Sequence, residues 1–496
     1  MQDFTNEEEF QRIEQLPAER ITELKEKFAQ SPYKQTFHLQ PPFGSAGKPN
    51  GLIYDGSQYI MSHEWYPFAI NNGLSYSYAY LSAALNHFES EHILLKPDSA
   101  YDNEGIKGGS ALKLNEQVHW IYSGQSSDAA REGQYTQLLA RKNQEQEIVK
   151  QTTPIELEVP KGYQDSLHDP KVFEKEGHRY VFIGAQTDKQ QGRLLAYDAN
   201  QIDKWQLLAP IYTNLSNFGK YWHTPDYFAI NGYDVLMFTA ESEGHALRAG
   251  YLMGHFDFNH LKMNHGDFKL WDDGFGFVYP QTCVGQHGER ILIGLLQTEG
   301  EYENISEIDQ VPCLAMPRQL NVMKGKMYQQ PHPSLKALRF NKESALGYAN
   351  KFAKQLHPYE GTNFELHVDI LENDATEIYF EVKVSKFNST KIIYNTHSRL
   401  VTLDCSESGE VPLNDAETKC SVQLSQDLEH LQIFVDQSSI EVFCNHGERV
   451  MSSRIFPPEN STGIRVGTES GQAYLQFTKY DLHSVSVSYT HLTLPT

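Results

Sequence analysis

Three side chains that can act as an acid, a base or an ion lie one or two residues before a proline in separate parts of the chain: Lys48, Asp169 and His223. The imidazole of a histidine can act as a general acid near neutral pH. Each residue also has an ordinary interpretation. Aspartate before proline is a common turn residue, a loop lysine is usually solvated, and a histidine in an aromatic strand is usually partly buried. Residue type alone leaves both interpretations open.

Two tryptophans in aromatic segments, Trp65 and Trp222, are candidates for the wall of a binding site. An indole ring can pack in a core or a channel, or it can stack on the face of a sugar. Residue type alone leaves these two alternatives open as well.

The elements that must position these residues follow a repeating pattern between residues 35 and 325. A small or proline-led turn, an apolar strand, a polar turn and a second apolar strand recur, with starts at positions 49, 109, 169, 225 and 280. The starts are 60, 60, 56 and 55 residues apart, close to the length of a four-stranded propeller blade. The pattern predicts a five-bladed β-propeller, with another all-β array as the alternative. In a propeller the recurring turns meet at one axial mouth, where we expect a ligand to bind.

Smaller elements flank the predicted propeller. Residues 1–34 are predicted to form a short helical N-terminal extension, divided at Pro17, from apolar residues at helical spacing. Residues 326–345 are rich in Pro and Gln and predict a linker with one short helix from Pro333 to Leu338.

The C-terminal part shows a different periodicity. Residues 346–484 alternate apolar and polar side chains, as in Phe364–Ile370, which predicts a β-sandwich whose sheets each have one solvated face. Residues 485–496 do not continue this alternation and are interpreted as a non-native tail. The predicted fold is therefore all-β, a five-bladed propeller followed by a sandwich.

Composition limits the partners. The chain has 496 residues and a formal net charge of −22, so its surface field should repel nucleic acid and anionic lipid. No apolar run reaches the roughly 20 residues of a membrane span, and the N-terminus does not resemble a secretion signal. We expect a cytoplasmic protein whose partner is a small neutral molecule such as a sugar, with neither nucleic acid nor membrane as partner and the oligomeric state left open.

The sequence carries no motif for a metal or a cofactor. Its five cysteines are far apart and include no Cys-x-x-Cys pair. A Walker loop, a Gly-rich dinucleotide turn, a His-Glu-x-x-His helix and an Asp-rich calcium loop are also missing from the sequence. We therefore expect neither a cofactor nor a bound metal.

Motifs spread over most of the chain occur in a fixed order: His38–Pro42, Pro49–Leu52, Asp169–Phe173, Asn217–Gly219, Pro225–Asp226, Pro280–Thr282, Arg290–Gly294, Met316–Arg318, Phe434–Asp436 and Ser438–Phe443. In order and spacing they resemble the β-fructosidases of glycoside hydrolase family 32, of the bacterial sucrose-6-phosphate hydrolase and invertase type. This resemblance implies a five-bladed propeller joined to a C-terminal sandwich.

The resemblance also assigns catalytic positions. Retaining glycosidases need a carboxylate nucleophile and a carboxylic acid facing it. The family nucleophile is the Asp of Asn-Asp-Pro-Asn-Gly, where this chain has Lys48, and the family acid is the Glu of Trp-Glu-Cys-Pro-Asp, where it has His223. The family carboxylate that holds sugar hydroxyls, in Arg-Asp-Pro, is retained as Asp169. Both reacting carboxylates are thus predicted to be missing.

Substitutions extend to the positions that the resemblance assigns to substrate binding. Some family residues are replaced, while turn residues persist. This chain has Glu64 where the family has Gln, His168 where it has Arg, and Lys107 where it has an aromatic residue. The predicted substrate-binding set is Asn50, Glu64, Trp65, Lys107, Ser110, His168 and Trp222.

The favoured hypothesis is a family member that lacks both catalytic carboxylates and is inactive or severely impaired, acting as a sugar-binding or regulatory paralogue. The first alternative is a working β-fructofuranosidase or sucrose-6-phosphate hydrolase in which Asp169, Glu64, Asp226 or His223 has taken over the chemistry. A decaying gene product without a role is the second. In the favoured case, we expect Lys48 to form an ion pair with Asp169 or Glu64.

Overall fold

The computed structural model describes residues 10–69, 73–88, 90–131, 133–143, 147–298, 300, 302–306, 309–351, 354–413 and 416–485. The first nine residues of the predicted helical extension lie outside this range. So does the predicted tail, apart from Val485.

The N-terminal extension is helical, as predicted. A 3₁₀ helix, Ile13–Gln15, precedes the α-helix α1, Ala18–Ala29, and Pro17 separates the two. Leu24 and Phe28 are buried on the face of α1 that packs on the first sheet. The backbone N–H of Ile13 donates to the hydroxyl of Tyr76 in that sheet at 3.0 Å. The extension is therefore attached to the propeller by apolar packing and a buried hydrogen bond.

Five antiparallel sheets follow along the described chain, and each begins at its inner strand. The first three sheets consist of β1 Ser45–Tyr54, β2 Tyr59–Tyr66, β3 Tyr76–Ser82 and β4 Ser90–Leu95; β5 Gly105–Leu114, β6 Gln117–Gln125, β7 Thr136–Lys142 and β8 Ile148–Lys150; and β9 His168–Lys175, β10 His178–Gln186, β11 Gly192–Gln201 and β12 Lys204–Pro210. The last two consist of β13 Tyr221–Ile230, β14 Tyr233–Glu241, β15 Leu247–Asp257, β16 Lys262–His265 and β17 Lys269–Leu270; and β18 Phe277–Val284, β19 Arg290–Leu296, β20 Cys313–Leu314, β21 Arg318–Met323 and β22 Lys326–Pro331. Short 3₁₀ helices lie at Ala129–Arg131 and Glu243–His245.

The inner strands close a ring. Strands β1, β5, β9, β13 and β18 each contact the inner strands of the sheets before and after them, and β18 contacts β1. These strands are packed on both faces, so β13 is buried from Tyr221 to Phe228. This is the predicted five-bladed propeller, and the five predicted repeat starts, at positions 49, 109, 169, 225 and 280, all lie in its inner strands.

The C-terminal part is a sandwich of two six-stranded sheets, as predicted. In spatial order, the first contains β23 Arg339–Ala349, β34 Ala473–Leu482, β25 Phe364–Asn373, β30 His430–Val435, β31 Ser439–Cys444 and β32 Arg449–Arg454. The second contains β24 Lys354–Glu360, β33 Gly463–Thr468, β26 Glu377–Val384, β27 Ser389–Asn395, β28 Leu400–Glu407 and β29 Lys419–Gln423. One apolar cluster, with Leu366, Val382 and Val442 among its members, fills the space between the sheets.

The stretch predicted as a linker, residues 326–345, holds three elements. It contains β22 of the fifth blade, a 3₁₀ helix at Pro333–Leu338 and the start of β23 in the sandwich. The domain boundaries given above stay predictions. No helix in the described part of the chain is long and apolar enough to cross a membrane, and the cytoplasmic location stays a prediction as well.

A buried polar cluster joins the two large domains. Arg318 of the fifth blade bonds Asp272 at 2.8 Å and, across the interface, Glu441 of β31 at 2.7 Å. His38, just before the first blade, bonds Asp436 at 2.9 Å and Glu441 at 3.0 Å, with all three side chains fully buried. Although burial alone would lower the pKa of His38, the hydrogen bonds to these two carboxylates raise it to about 9. His38 is therefore a cation at neutral pH, placed between two domains.

This interface predicts a pH-dependent stability. The folded-state pKa of His38 lies above the unfolded value of 6.5, so its contribution is fully present below pH 6.5 and is lost as the pH rises through about 9. As the pH rises between these limits, we expect the free energy of unfolding to fall by roughly 3 kcal/mol more in the parent protein than in a His38→Gln variant. Thermal unfolding midpoints of both proteins across this range measure the difference.

The exposed His397 provides the control, since His397→Gln should keep the parental pH profile. A His38→Gln variant whose midpoint falls with pH as steeply as that of the parent would show that the interface histidine is not charged in the folded state.

Candidate active site

Backbone irregularities position the candidate site residues. The pairing of each inner strand with the next strand is interrupted near the repeat start: at Pro49, before Gly109, opposite Gly184, after His223 and after Val278. Asp169, Thr224 and Tyr279 have φ values of 61°, 44° and 51°, in the left-handed region. Such bulges redirect side chains at strand ends and next to active sites. Here they bring side chains from several blades together at one end of the ring.

An ion pair lies at the centre of this end, which we call the axial mouth. The ammonium of Lys48 is 2.8 Å from Oδ2 of Asp169 and 3.3 Å from Nδ1 of His223. Oδ2 of Asp169 also accepts the backbone N–H of Thr224 at 3.0 Å. The three residues that the sequence singled out therefore surround one point, and the expected ion pair of Lys48 with Asp169 is present.

The charges of this pair stabilise each other. Burial would lower the pKa of Lys48, but the nearby charge of Asp169 holds it above its usual value. Burial would raise the pKa of Asp169, but the charge of Lys48 holds it well below its usual value. The side chains are 17% and 1% exposed, so little water screens them. Lys48 is thus an ammonium and Asp169 a carboxylate throughout the neutral range.

Two histidines lie beside the ion pair. Nε2 of His168 is 3.1 Å from Nδ1 of His223, and the ring of His168 stacks on Tyr221 with centroids 4.3 Å apart. The other nitrogens face acceptors: Nδ1 of His168 lies 3.0 Å from the carbonyl of Ser166, and Nε2 of His223 lies 2.7 Å from Oε2 of Glu241. Burial lowers the pKa of His168 to about 3, so its ring is neutral.

A second polar group lies on the other side of Lys48. The hydroxyl of Tyr66 donates to Oε2 of Glu64 at 2.7 Å, and the ammonium of Lys107 lies 3.3 Å from the same hydroxyl. Glu64 packs against Gly47, where a β-carbon would lie 2.8 Å from Oε2. Burial raises the pKa of Glu64 and lowers that of Lys107. Glu64 and Lys107 thus interact electrostatically with Lys48, and their role in substrate binding stays a prediction.

The other predicted binding residues have structural partners. Asn50 accepts a hydrogen bond from Ser77 at 3.0 Å, and Ser110 donates to the carbonyl of Pro170 at 2.8 Å. Trp65 and Trp222 are 1% and 0% exposed. Trp222 stacks on Phe238, and the indole N–H of Trp65 donates to the carbonyl of Phe43. Both rings pack within the protein, which is one of the two interpretations given above. A role for them in sugar binding stays a prediction.

Sequence reasoning missed Glu241, Tyr279 and Tyr135. Glu241 holds His223, the Tyr279 ring lies 5.1 Å from the ammonium of Lys48, and Tyr135 lies against His168 with ring centroids 4.7 Å apart. Glu241 reaches the site because it pairs with Tyr221 across β13 and β14. Only the register of β13 and β14 identifies Glu241, and this register could not be assigned from the sequence.

The chain matches a known protein family over most of its length. The profile for "Glycosyl hydrolases family 32 N-terminal domain" matches residues 38–331, and that for "Glycosyl hydrolases family 32 C terminal" matches residues 334–487. The chain is 44% identical to a sucrose-6-phosphate hydrolase of Staphylococcus xylosus over 97% of this chain and 99% of the relative. It is 31% identical to a sucrose-6-phosphate hydrolase of Bacillus subtilis, over 88% and 91% of the two chains.

Solved structures share the fold. The structure of a sucrose-6-phosphate hydrolase from Lactobacillus gasseri superposes with a TM-score of 0.87 at 23% identity, covering 97% of this chain and 100% of that chain. A fructan 1-exohydrolase IIa from Cichorium intybus superposes with a TM-score of 0.79 at 17% identity, covering 92% and 98%.

The central ion pair predicts a strong energetic coupling. Lys48→Met leaves the buried carboxylate of Asp169 without its cation, which should cost about 3 kcal/mol of unfolding free energy. Adding Asp169→Asn removes the uncompensated charge, so the double variant should recover about 2 kcal/mol of that loss. Thermal and denaturant unfolding of the parent, the two single variants and the double variant measure the coupling.

The pair of Lys391 and Glu407, with side chains 27% and 57% exposed, is the matched control. Lys391→Met should cost less than about 1 kcal/mol because exposed pairs contribute little. Strictly additive effects of Lys48→Met and Asp169→Asn would contradict a stabilising pair at the axis.

Proposed function

Because the chain belongs to glycoside hydrolase family 32, we propose that it recognises a sucrose-type β-fructoside at the axial mouth and does not cleave it by double displacement. The observation that carries this proposal is the position of Lys48. Its ammonium lies in the centre of the mouth, 2.8 Å from Asp169, where the motif comparison assigns the attacking carboxylate.

Double displacement requires two acidic groups with separate duties. One carboxylate attacks the anomeric carbon, and a carboxylic acid about 5 Å away protonates the leaving oxygen. At the two assigned positions this chain has an ammonium and an imidazole, neither of which can form the glycosyl ester. A cation at the attacking position also opposes the positive charge that develops on the sugar ring in the transition state.

The acids that remain at the mouth are engaged. Oδ2 of Asp169 is bound by Lys48 and by the backbone N–H of Thr224. Glu241 accepts from His223 at 2.7 Å and lies 3.0 Å from the ammonium of Lys220. Glu64 accepts from Tyr66. Glu241 is therefore bound through both carboxylate oxygens, whereas Asp169 and Glu64 are bound through one oxygen each, with Oδ1 of Asp169 and Oε1 of Glu64 left without a partner among the described residues.

The expected loss of rate is large. A general acid alone contributes about 10² to 10⁴ in rate, and loss of the nucleophile removes the covalent route altogether. Together they correspond to roughly 5 kcal/mol or more of transition-state stabilisation. We therefore expect no hydrolysis above background.

The polar lining supports recognition of a sugar. In the described part of the chain, buried side-chain atoms without a hydrogen-bond partner include Asn50 Nδ2, Glu64 Oε1, Asp169 Oδ1 and Thr224 Oγ1, all at or next to the mouth. Buried polar atoms are nearly always paired in native proteins. Because these atoms are closed to solvent, a ligand rich in hydroxyls, which both donate and accept, supplies these partners only when the side chains around them shift.

A specific observation favours hydrolysis as the second candidate. The relatives that match over nearly the whole chain are named sucrose-6-phosphate hydrolases, one of them at 44% identity. In a working enzyme, Asp169, Glu64 or His223 would have taken over the chemistry at the mouth. Asp226 is a weaker choice, since its Oδ2 bonds Lys171 and Thr282 in the core of the ring.

An activity assay separates the two candidates. Purified protein is assayed for hexose release from sucrose, sucrose 6-phosphate and inulin, and we expect no turnover. The Lys48→Asp/His223→Glu variant restores both carboxyl groups on the same scaffold and should release hexose measurably above the parent. Parental turnover that disappears in Asp169→Asn would establish the second candidate and overturn the first.

Ligand binding is tested separately from cleavage. A ligand that binds only the folded state raises the unfolding midpoint. When its concentration is 100 times Kd, the free energy of unfolding increases by about 2.7 kcal/mol. We expect sucrose or sucrose 6-phosphate to raise the midpoint of the parent, and we expect Asp169→Asn to reduce the shift. The exposed variant His397→Gln should respond like the parent. No shift with either sugar at saturating concentrations would contradict sugar recognition.

A further inference from the structure

We propose that His168, Asp169 and His223 form a binding site for a divalent transition-metal ion, with Zn²⁺ as the best-fitting probe. The sequence carries no motif for this site, because the three residues come from two different blades and only the fold brings them together. The inference goes beyond sugar recognition and does not depend on it.

The hydrogen bonds of the two histidines fix where their lone pairs lie. The carbonyl of Ser166 can only accept, so Nδ1 of His168 carries the hydrogen and Nε2 carries the lone pair. Oε2 of Glu241 accepts from Nε2 of His223, so in the neutral form of His223 the lone pair lies on Nδ1. In that form the two lone pairs face each other across 3.1 Å, a contact that favours a cation between or beside them. In the protonated form Nδ1 of His223 donates to Nε2 of His168, and a bound metal ion must replace that proton.

Asp169 adds a third ligand atom at matching distances. Its Oδ2 lies 3.8 Å from Nε2 of His168 and 3.7 Å from Nδ1 of His223. Zinc binds imidazole nitrogen and carboxylate oxygen at about 2.0 to 2.2 Å, so neighbouring ligands of a tetrahedral ion are about 3.4 Å apart. The three observed separations bracket this value. Small side-chain shifts would place all three atoms around one ion.

The residues behind the ligands hold them in the required orientation. A metal-binding histidine almost always donates its second ring N–H to a carbonyl or a carboxylate, and the two histidines here use one of each. Glu241 is itself held by Lys220 at 3.0 Å and by His245. Oδ1 of Asp169 is buried and has no hydrogen-bond partner in the described part of the chain. The ligand set is thus built in advance.

Lys48 is the competitor for this site. Its ammonium already supplies a positive charge to Asp169 and His223, at 2.8 and 3.3 Å. Its side chain is 17% exposed, and its ammonium lies 5.1 Å from the centre of the Tyr279 ring. A bound ion must displace this ammonium, so removal of Lys48 should strengthen metal binding. Three protein ligands also leave a coordination position for a water or hydroxyl oxygen.

Metal titrations test the site directly. The full chain, without an affinity tag and freed of metal by a chelator, is titrated with Zn²⁺ by calorimetry and with Co²⁺ by visible absorption, in the absence of sugar. We expect one ion per chain and cobalt bands typical of nitrogen and oxygen ligands in a low coordination number. Lys48→Met should bind at least tenfold more tightly than the parent, a gain that misfolding cannot produce.

Further variants separate this site from the other histidines of the chain. His168→Ala and Asp169→Asn, each also made in the Lys48→Met background, should weaken Zn²⁺ binding at least 100-fold. The exposed pair of His260 and Asp257, 2.7 Å apart, provides the matched control, and His260→Gln should bind Zn²⁺ like the parent. Absence of stoichiometric binding in both the parent and Lys48→Met, or binding that persists in the His168→Ala variants, would overturn the proposal. Either result leaves the sugar-binding test unaffected.

Discussion

The contact between the ammonium of Lys48 and the carboxylate of Asp169 is the interaction on which the axial mouth depends. Asp169 is almost completely buried, and its backbone is held in a left-handed conformation within the inner ring. A buried carboxylate is costly unless a cation compensates it. The chain supplies that cation from its own first blade, so the centre of the propeller is neutralised without a ligand.

The same contact sets the electrostatic surroundings of the neighbouring side chains. The ammonium of Lys48 has the carboxylate of Asp169 beside it, and burial keeps the neighbouring ring of His168 neutral. His223 extends the network outward to Glu241. The register shifts that set the geometry of the ring lie at Pro49 and around Pro225. A family 32 scaffold thus carries a buried ammonium and carboxylate pair at its axis.

Much of the architecture could be predicted from local sequence. Proline-led turns at regular spacing predicted the inner strands, period-two alternation predicted the sandwich, and helical spacing around Pro17 predicted the N-terminal helices. The meeting of Lys48 with Asp169 and His223 followed from motif order. Strand register and side-chain hydrogen bonding could not be assigned in this way, because they arise between distant parts of the chain. Glu241 was missed for that reason, and the lone pairs of His168 and His223 became visible only with their partners, Ser166 and Glu241, in place.

The central claim is that no carboxylate at the axial mouth can attack a fructoside. Retaining glycosidases pass through a covalent glycosyl intermediate, which increases the mass of the protein by one sugar unit. Intact-protein mass spectrometry after rapid acid quenching in saturating sucrose, and in sucrose 6-phosphate, detects that intermediate directly. The account predicts only the mass of the unmodified chain. An adduct of one fructosyl unit, located by peptide mapping on Asp169 or Glu64, would contradict it.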